Sequence, residues 1–182
     1  MKVRLALATI LITLLSCNDN IQITQQRIFF EVHYINYAWM YTNQGILIDS
    51  LGNVYDYDLN ETQGNDWKSA GEDGYISKTD MNRNFAFCND IVHRISTDSL
   101  QYYVNKIEGA AGGKLSGPVA VMADAGIKQY IAYIYDKKKN SYKKILLSQW
   151  GDMQCTNSSP EASELSAWLT KMEQFKNRSA EK

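Results

Sequence analysis

RIFFEVHYINYAWMY, residues 27–41, is the stretch on which the fold turns. It is rich in aromatic and β-branched residues and lacks glycine and proline, so it reads as one long strand. Alternation divides it in two. Ile28, Phe30, Val32, Tyr34, Ala38 and Met40 make an apolar face suited to the core. Glu31, His33, Tyr37, Trp39 and Tyr41 point the other way, as an aromatic platform with an acid and a histidine on its margin. Such a platform suits sugar stacking or a protein hot spot. These residues, with Trp67, are the candidate binding residues.

Working outward, Asn43-Gln44-Gly45 reads as a turn and Ile46–Ile48 as a second strand. Asp49–Asn53 follows as a hairpin turn with Gly52 in the left-handed position, and Val54–Leu59 as a third strand. Residues 60–76 read as a long loop carrying Trp67. Helical spacing is expected after Thr79 (Met81, Phe85, Cys88, Val92). A second helix is expected from Ser96 or Thr97, with Leu100, Tyr103, Val104 and Ile107 on one stripe and Gly109 as terminator. Strands at Val119–Met122, Tyr130–Asp136 and Tyr142–Trp150 come next, the last two joined by a lysine-rich turn at Asn140. Ser159 caps a final helix with Pro160 at its first position and Leu165, Trp168, Leu169 and Met172 as its apolar stripe. This order predicts an α+β fold: an antiparallel sheet of about six strands with two to three helices packed on one face.

At the start of the chain, Lys2 and Arg4 precede an apolar run from Leu5 to Leu15, then Ser16 and Cys17. The run is too short to span roughly 30 Å of hydrocarbon as a helix, so it has the layout of a signal peptide. Leu14-Leu15-Ser16-Cys17 resembles the lipobox of bacterial lipoproteins. That resemblance implies removal of residues 1–16, acylation of Cys17 and residence in the cell envelope, at the outer membrane of a Gram-negative bacterium. The bilayer is then one partner, residues 17–26 a short tether, 27–176 a single globular domain and 177–182 a polar tail.

After that removal 17 basic residues face 20 acidic ones, a formal net charge of −3. A weakly acidic chain without a basic stripe is not expected to bind nucleic acid. Assigning Cys17 to lipid leaves Cys88 and Cys155, which are either a disulfide or two separate thiols. A bridge would close a loop of about 67 residues and stabilise the fold by roughly 4 kcal/mol.

Catalytic signatures are not met. Gly109–Ser116 imitates a phosphate loop, but its spacing is one residue short and Leu115 stands where Ser or Thr must reach magnesium. Asp56-Tyr57-Asp58-Leu59-Asn60 begins like a calcium loop, yet Glu61 replaces the turn glycine and Trp67 the closing glutamate. The two histidines, His33 and His93, belong to no group of metal ligands, and no nucleophile elbow occurs. No catalytic residue, metal or cofactor is expected. The leading expectation is an envelope-anchored binding module for a protein or glycan. The competing ones are a hydrolase with an unrecognised carboxylate pair, and an inhibitor or immunity-type lipoprotein acting through a loop such as 60–76.

Overall fold

The computed structural model describes residues 26–179, so Cys17, the expected signal peptide and the last three residues lie outside the described residues. Nine strands and five helices follow in chain order. They are β1 (Ile28–Asn36), β2 (Thr42–Asp49), β3 (Asn53–Asp58), α1 (Glu61–Asp66), β4 (Tyr75–Ser77), α2 (Lys78–Phe85) and β5 (Ile91–Arg94), then α3 (Thr97–Val104), α4 (Ile107–Ala111), β6 (Val119–Ala120), β7 (Ile127–Asp136), β8 (Ser141–Gly151), β9 (Met153–Thr156) and α5 (Pro160–Ser179). The strands form one antiparallel sheet in the order β5-β3-β2-β1-β7-β8-β9-β6, with β4 added alongside β8. The α+β antiparallel class therefore holds, with three more strands than expected: β4, β5 and β9.

The sheet is covered on both faces, not one. On the first, Phe30, Val32, Ile46, Ile48, Ala132 and Leu147 meet α3, α4 and α5 through Leu100, Val104, Ile107, Leu165 and Leu169. Trp168 stacks on Tyr103 with centroids 4.0 Å apart and presents its edge to Phe30 at 5.0 Å. On the second, Leu47, Tyr57, Ile131 and Tyr142 meet Trp67, Ile76 and Met81 from the segment expected to be loop and from α2. That segment is ordered by its own polar chemistry. Asn60 and Gln63 cap α1 reciprocally, and the Asn84 amide brackets Lys68, accepting from its N–H at 2.9 Å and donating to its carbonyl at 2.7 Å.

The first strand stops at Asn36, five residues before the expected Tyr41. The Asn36 side-chain oxygen accepts from the Ala38 N–H at 2.8 Å, a local turn that competes with the ladder. Residues 37–41 thus form the hairpin loop, and Asn43-Gln44-Gly45, expected as a turn, lies inside β2. Gly45 serves close packing there: a Cβ would fall 1.9 Å from the Val32 carbonyl oxygen and 2.5 Å from the Tyr57 hydroxyl.

Helix boundaries shift for similar reasons. α2 ends at Phe85, so Cys88 and Val92 are not on it. The expected second helix divides into α3 and α4, and Gly109 sits within α4, where a Cβ would crowd the Glu161 side chain at 2.9 Å. Ser159 caps α5 as expected, its hydroxyl accepting from the N–H groups of Glu161 and Ala162. α5 continues through residue 179, into the expected tail. Gln26, expected in the tether, is 6 % exposed and built into the sheet.

Candidate functional site

The expected platform divides at Asn36. Glu31 and His33 remain on the second face of β1, and that face is covered. Glu31 is 4 % exposed, yet both its oxygens are used: the Tyr57 hydroxyl donates to Oε1 at 3.1 Å and the Tyr133 hydroxyl donates to Oε2. His33 Nδ1 lies 3.9 Å from Glu31, and its Nε2 meets the Asn43 side-chain oxygen at 2.9 Å. Trp67 closes the cluster by stacking on Tyr57 at 4.3 Å, with His33 6.1 Å away.

Burial, reinforced by the neighbouring Glu31 carboxylate, pushes the Tyr57 and Tyr133 hydroxyls well above the usual phenol range. Burial also lowers the Lys144 ammonium, against the pull of Glu31, while its Nζ donates to Gln129 at 2.8 Å. Each polar group in this cluster thus has a partner inside the protein. Buried polar networks of this kind fix register and side-chain placement. The arrangement brings together an acid, an imidazole and two phenols, but as mutual partners beneath Trp67.

Tyr37, Trp39 and Met40 are 70 %, 81 % and 78 % exposed at the β1–β2 hairpin. Tyr41 is half-buried and supports the loop, its ring 5.5 Å from that of Tyr37 and its hydroxyl accepting from the Asn43 amide at 3.2 Å. The base is held firmly. The Asn36 amide donates to the Asp124 carbonyl at 3.1 Å, the Tyr34 hydroxyl donates to the Ala125 carbonyl, and the Asp152 carboxylate accepts from the Ala125 N–H at 2.7 Å. A cleft of about 330 Å³ lined by Ile35, Tyr37, Ala38, Ile127 and Asp152 runs between the hairpin and this turn. Exposed Val121 and Met122 adjoin it, through the bond from the Val121 N–H to the Asp152 carbonyl. The result is an apolar rim at one end of the sheet.

Two further concavities had no sequence signal, because their residues converge only in space. A cleft of about 410 Å³ between β8 and α5 is lined by Trp150, half-exposed, and by Ser148, Ser163, Ser166, Thr170 and Asn157. A second, of about 160 Å³, holds the Lys128–Glu173 ion pair at 2.7 Å together with Lys176.

Cys88 and Cys155 are free thiols, which corrects the disulfide alternative. Cys88 packs beneath the second face beside β3, whereas Cys155 lies on β9, five strands away. At about 4.8 Å per strand that separation is far beyond what a disulfide bridges. Among the described residues no three His, Cys, Asp or Glu side chains are grouped to hold a metal, and no helix is long and apolar enough to cross a membrane.

The chain matches no protein-family model, no curated protein and no solved structure.

Proposed function

We propose that this chain is an envelope lipoprotein, acylated at Cys17, whose β1–β2 hairpin binds a protein partner. The observation that carries the reading is the exposure of Tyr37, Trp39 and Met40 together on a hairpin with a hydrogen-bonded base. Ordering a loop costs binding energy, and here the fold has ordered it in advance. A projecting tip with tryptophan and tyrosine suits insertion into a partner's pocket. The buried Glu31 cluster then serves as the scaffold beneath the hairpin.

The test places a photo-crosslinking amino acid at position 39 in cells, with position 51, also exposed, as the control. A discrete protein adduct at 39, absent at 51 and reduced by Tyr37→Ala, supports the reading; equal labelling at both positions, or none, overturns it. Acylation is tested separately by the mass of the N-terminal peptide, expected to begin at Cys17 and to carry fatty acyl chains.

A second reading rests on the β8–α5 cleft, where one aromatic wall and several hydroxyls suit a glycan. Saturable quenching of tryptophan fluorescence by envelope oligosaccharides, lost in Trp150→Ala, would favour it over the hairpin.

A further inference from the structure

The end of the sheet opposite the hairpin carries a different chemistry. β7 and β8 are joined there through Lys137-Lys138-Lys139-Asn140, a turn closed by Asn140 in the left-handed region at φ 50°. The one acid within it, Asp136, is engaged: its carboxylate accepts from the N–H groups of Lys138 and Lys139 at 2.9 and 3.2 Å. An open groove of about 480 Å³ is lined by Lys137, Lys138 and Lys143, by Asp136, and by Tyr75 and Tyr135. Lys139 Nζ sits 3.6 Å above the Tyr75 ring, and Lys78 Nζ lies 5.5 Å from the Tyr135 ring. Acids stand near it too: Asp80 at the start of α2 accepts from the Ser77 hydroxyl, Asp73 accepts from the Tyr75 N–H, and Glu108 lines a small cavity with Gln26 and Ile134.

This is also the end at which the N-terminal segment enters. The Gln26 side chain donates to the Tyr133 carbonyl and accepts from the Tyr135 N–H, which pins the start of β1 beside the end of β7. Eight residues separate Gln26 from Cys17, a reach of at most about 30 Å. β1 itself rises about 26 Å from Ile28 to Asn36, so the hairpin stands away from this entry point. Leu51, 78 % exposed at the β2–β3 turn, shares the basic end, because the Ser50 N–H donates to the Arg27 carbonyl at 2.8 Å.

We propose that this lysine-bearing end docks on the anionic phospholipid headgroups of the bilayer that holds Cys17. The inference rests on the acylation reading. A chain of net charge −3 after Cys17 processing is repelled as a whole by an anionic surface, but Lys78, Lys137, Lys138, Lys139 and Lys143 lie together where the N-terminal segment enters, and that favours one orientation. Lipid anchoring with an adjoining basic patch is a two-signal attachment. Each lysine close to an anionic leaflet strengthens association roughly fivefold. In this orientation the hairpin faces away from the membrane, toward a partner.

The experiment is lysine-reactive footprinting of the acylated protein on vesicles of phosphatidylcholine alone and of phosphatidylcholine mixed with phosphatidylglycerol. Lys137, Lys138 and Lys143 are expected to lose reactivity at least fivefold on the anionic vesicles and to regain it in high salt, with Lys171 on α5 unchanged. In Lys137→Glu/Lys138→Glu, protection of Lys139 and Lys143 disappears. Equal reactivity on both vesicles overturns the proposal, as does equal protection by inorganic phosphate over neutral vesicles, which would make the groove a soluble-anion site. If the N-terminal peptide proves unacylated, the anchor reading fails by itself. The groove is then tested by sedimenting that chain with the same vesicles: phosphatidylglycerol-dependent, salt-sensitive binding upholds the surface, and none overturns it.

Discussion

Trp67 lies over Tyr57 with ring centroids 4.3 Å apart and planes 28° from parallel. The pair joins the segment after α1 to β3, one strand in from the sheet edge, and beneath it Tyr57 donates to Glu31 on β1. The indole therefore excludes water from the acid–phenol cluster as well as burying its own surface. Trp67→Ala is expected to cost about 3–5 kcal/mol, the range for a large buried aromatic, because the gap opens above polar groups arranged for a dry site. Urea unfolding followed by circular dichroism measures it, and a loss under about 1 kcal/mol would show that Trp67 is not the cover it resembles.

The same cluster predicts alkaline sensitivity. Tyr57 and Tyr133 have phenols raised well above their ordinary value of 10.0 by burial and by Glu31. In the unfolded chain each titrates near pH 10, while in the folded protein each keeps its proton, so above that pH the unfolded state binds fewer protons. Stability is thus fully present below pH 10 and falls as pH rises toward the folded values. The slope is about 1.4 kcal/mol per pH unit for each phenol, roughly twice that for both. Denaturation midpoints at pH 9, 10 and 11 should show this fall, and Tyr57→Phe should roughly halve its slope. A flat profile across that window would refute the protonated, buried state of both phenols.

How far the fold was legible in the sequence follows from where each signal resides. β7, β8 and α5 carry theirs locally, in β-branched and aromatic runs and in Ser159-Pro160. β4 and β5 have three and four residues, too few for alternation to register, and exist because β8 and β3 offer them edges. The hairpin at residues 37–41 has no glycine or proline, and the aromatic pattern runs on through it; only the Asn36 side chain breaks the strand. Glu31 and His33 resemble solvent-facing residues by parity. Their burial depends on Tyr57 and Tyr133, 26 and 102 residues from Glu31, which no local pattern reveals. Of the candidate binding residues, Tyr37 and Trp39 project into solvent, Tyr41 props the loop, Glu31 and Trp67 are buried, and His33 is partly buried beside them.

The two thiols give a direct check on this topology. Burial first, then the Glu31 and Asp56 carboxylates, push Cys88 up to about 12. At neutral pH its thiolate fraction is therefore on the order of one in 10⁵, and the thiol is expected to resist alkylation until the protein unfolds. Cys155, 6 % exposed, donates its Sγ hydrogen to the Ser116 carbonyl at 3.1 Å and is shielded as well. In denaturant without reductant both should react, giving two free thiols apart from Cys17, and reductant should leave the melting temperature unchanged. A disulfide between them would instead give no reactive thiol in denaturant, and its reduction would remove roughly 4 kcal/mol of stability. That outcome would require the segment after α2 to lie beside β9, and so would overturn its placement against β3 as well as the free thiols.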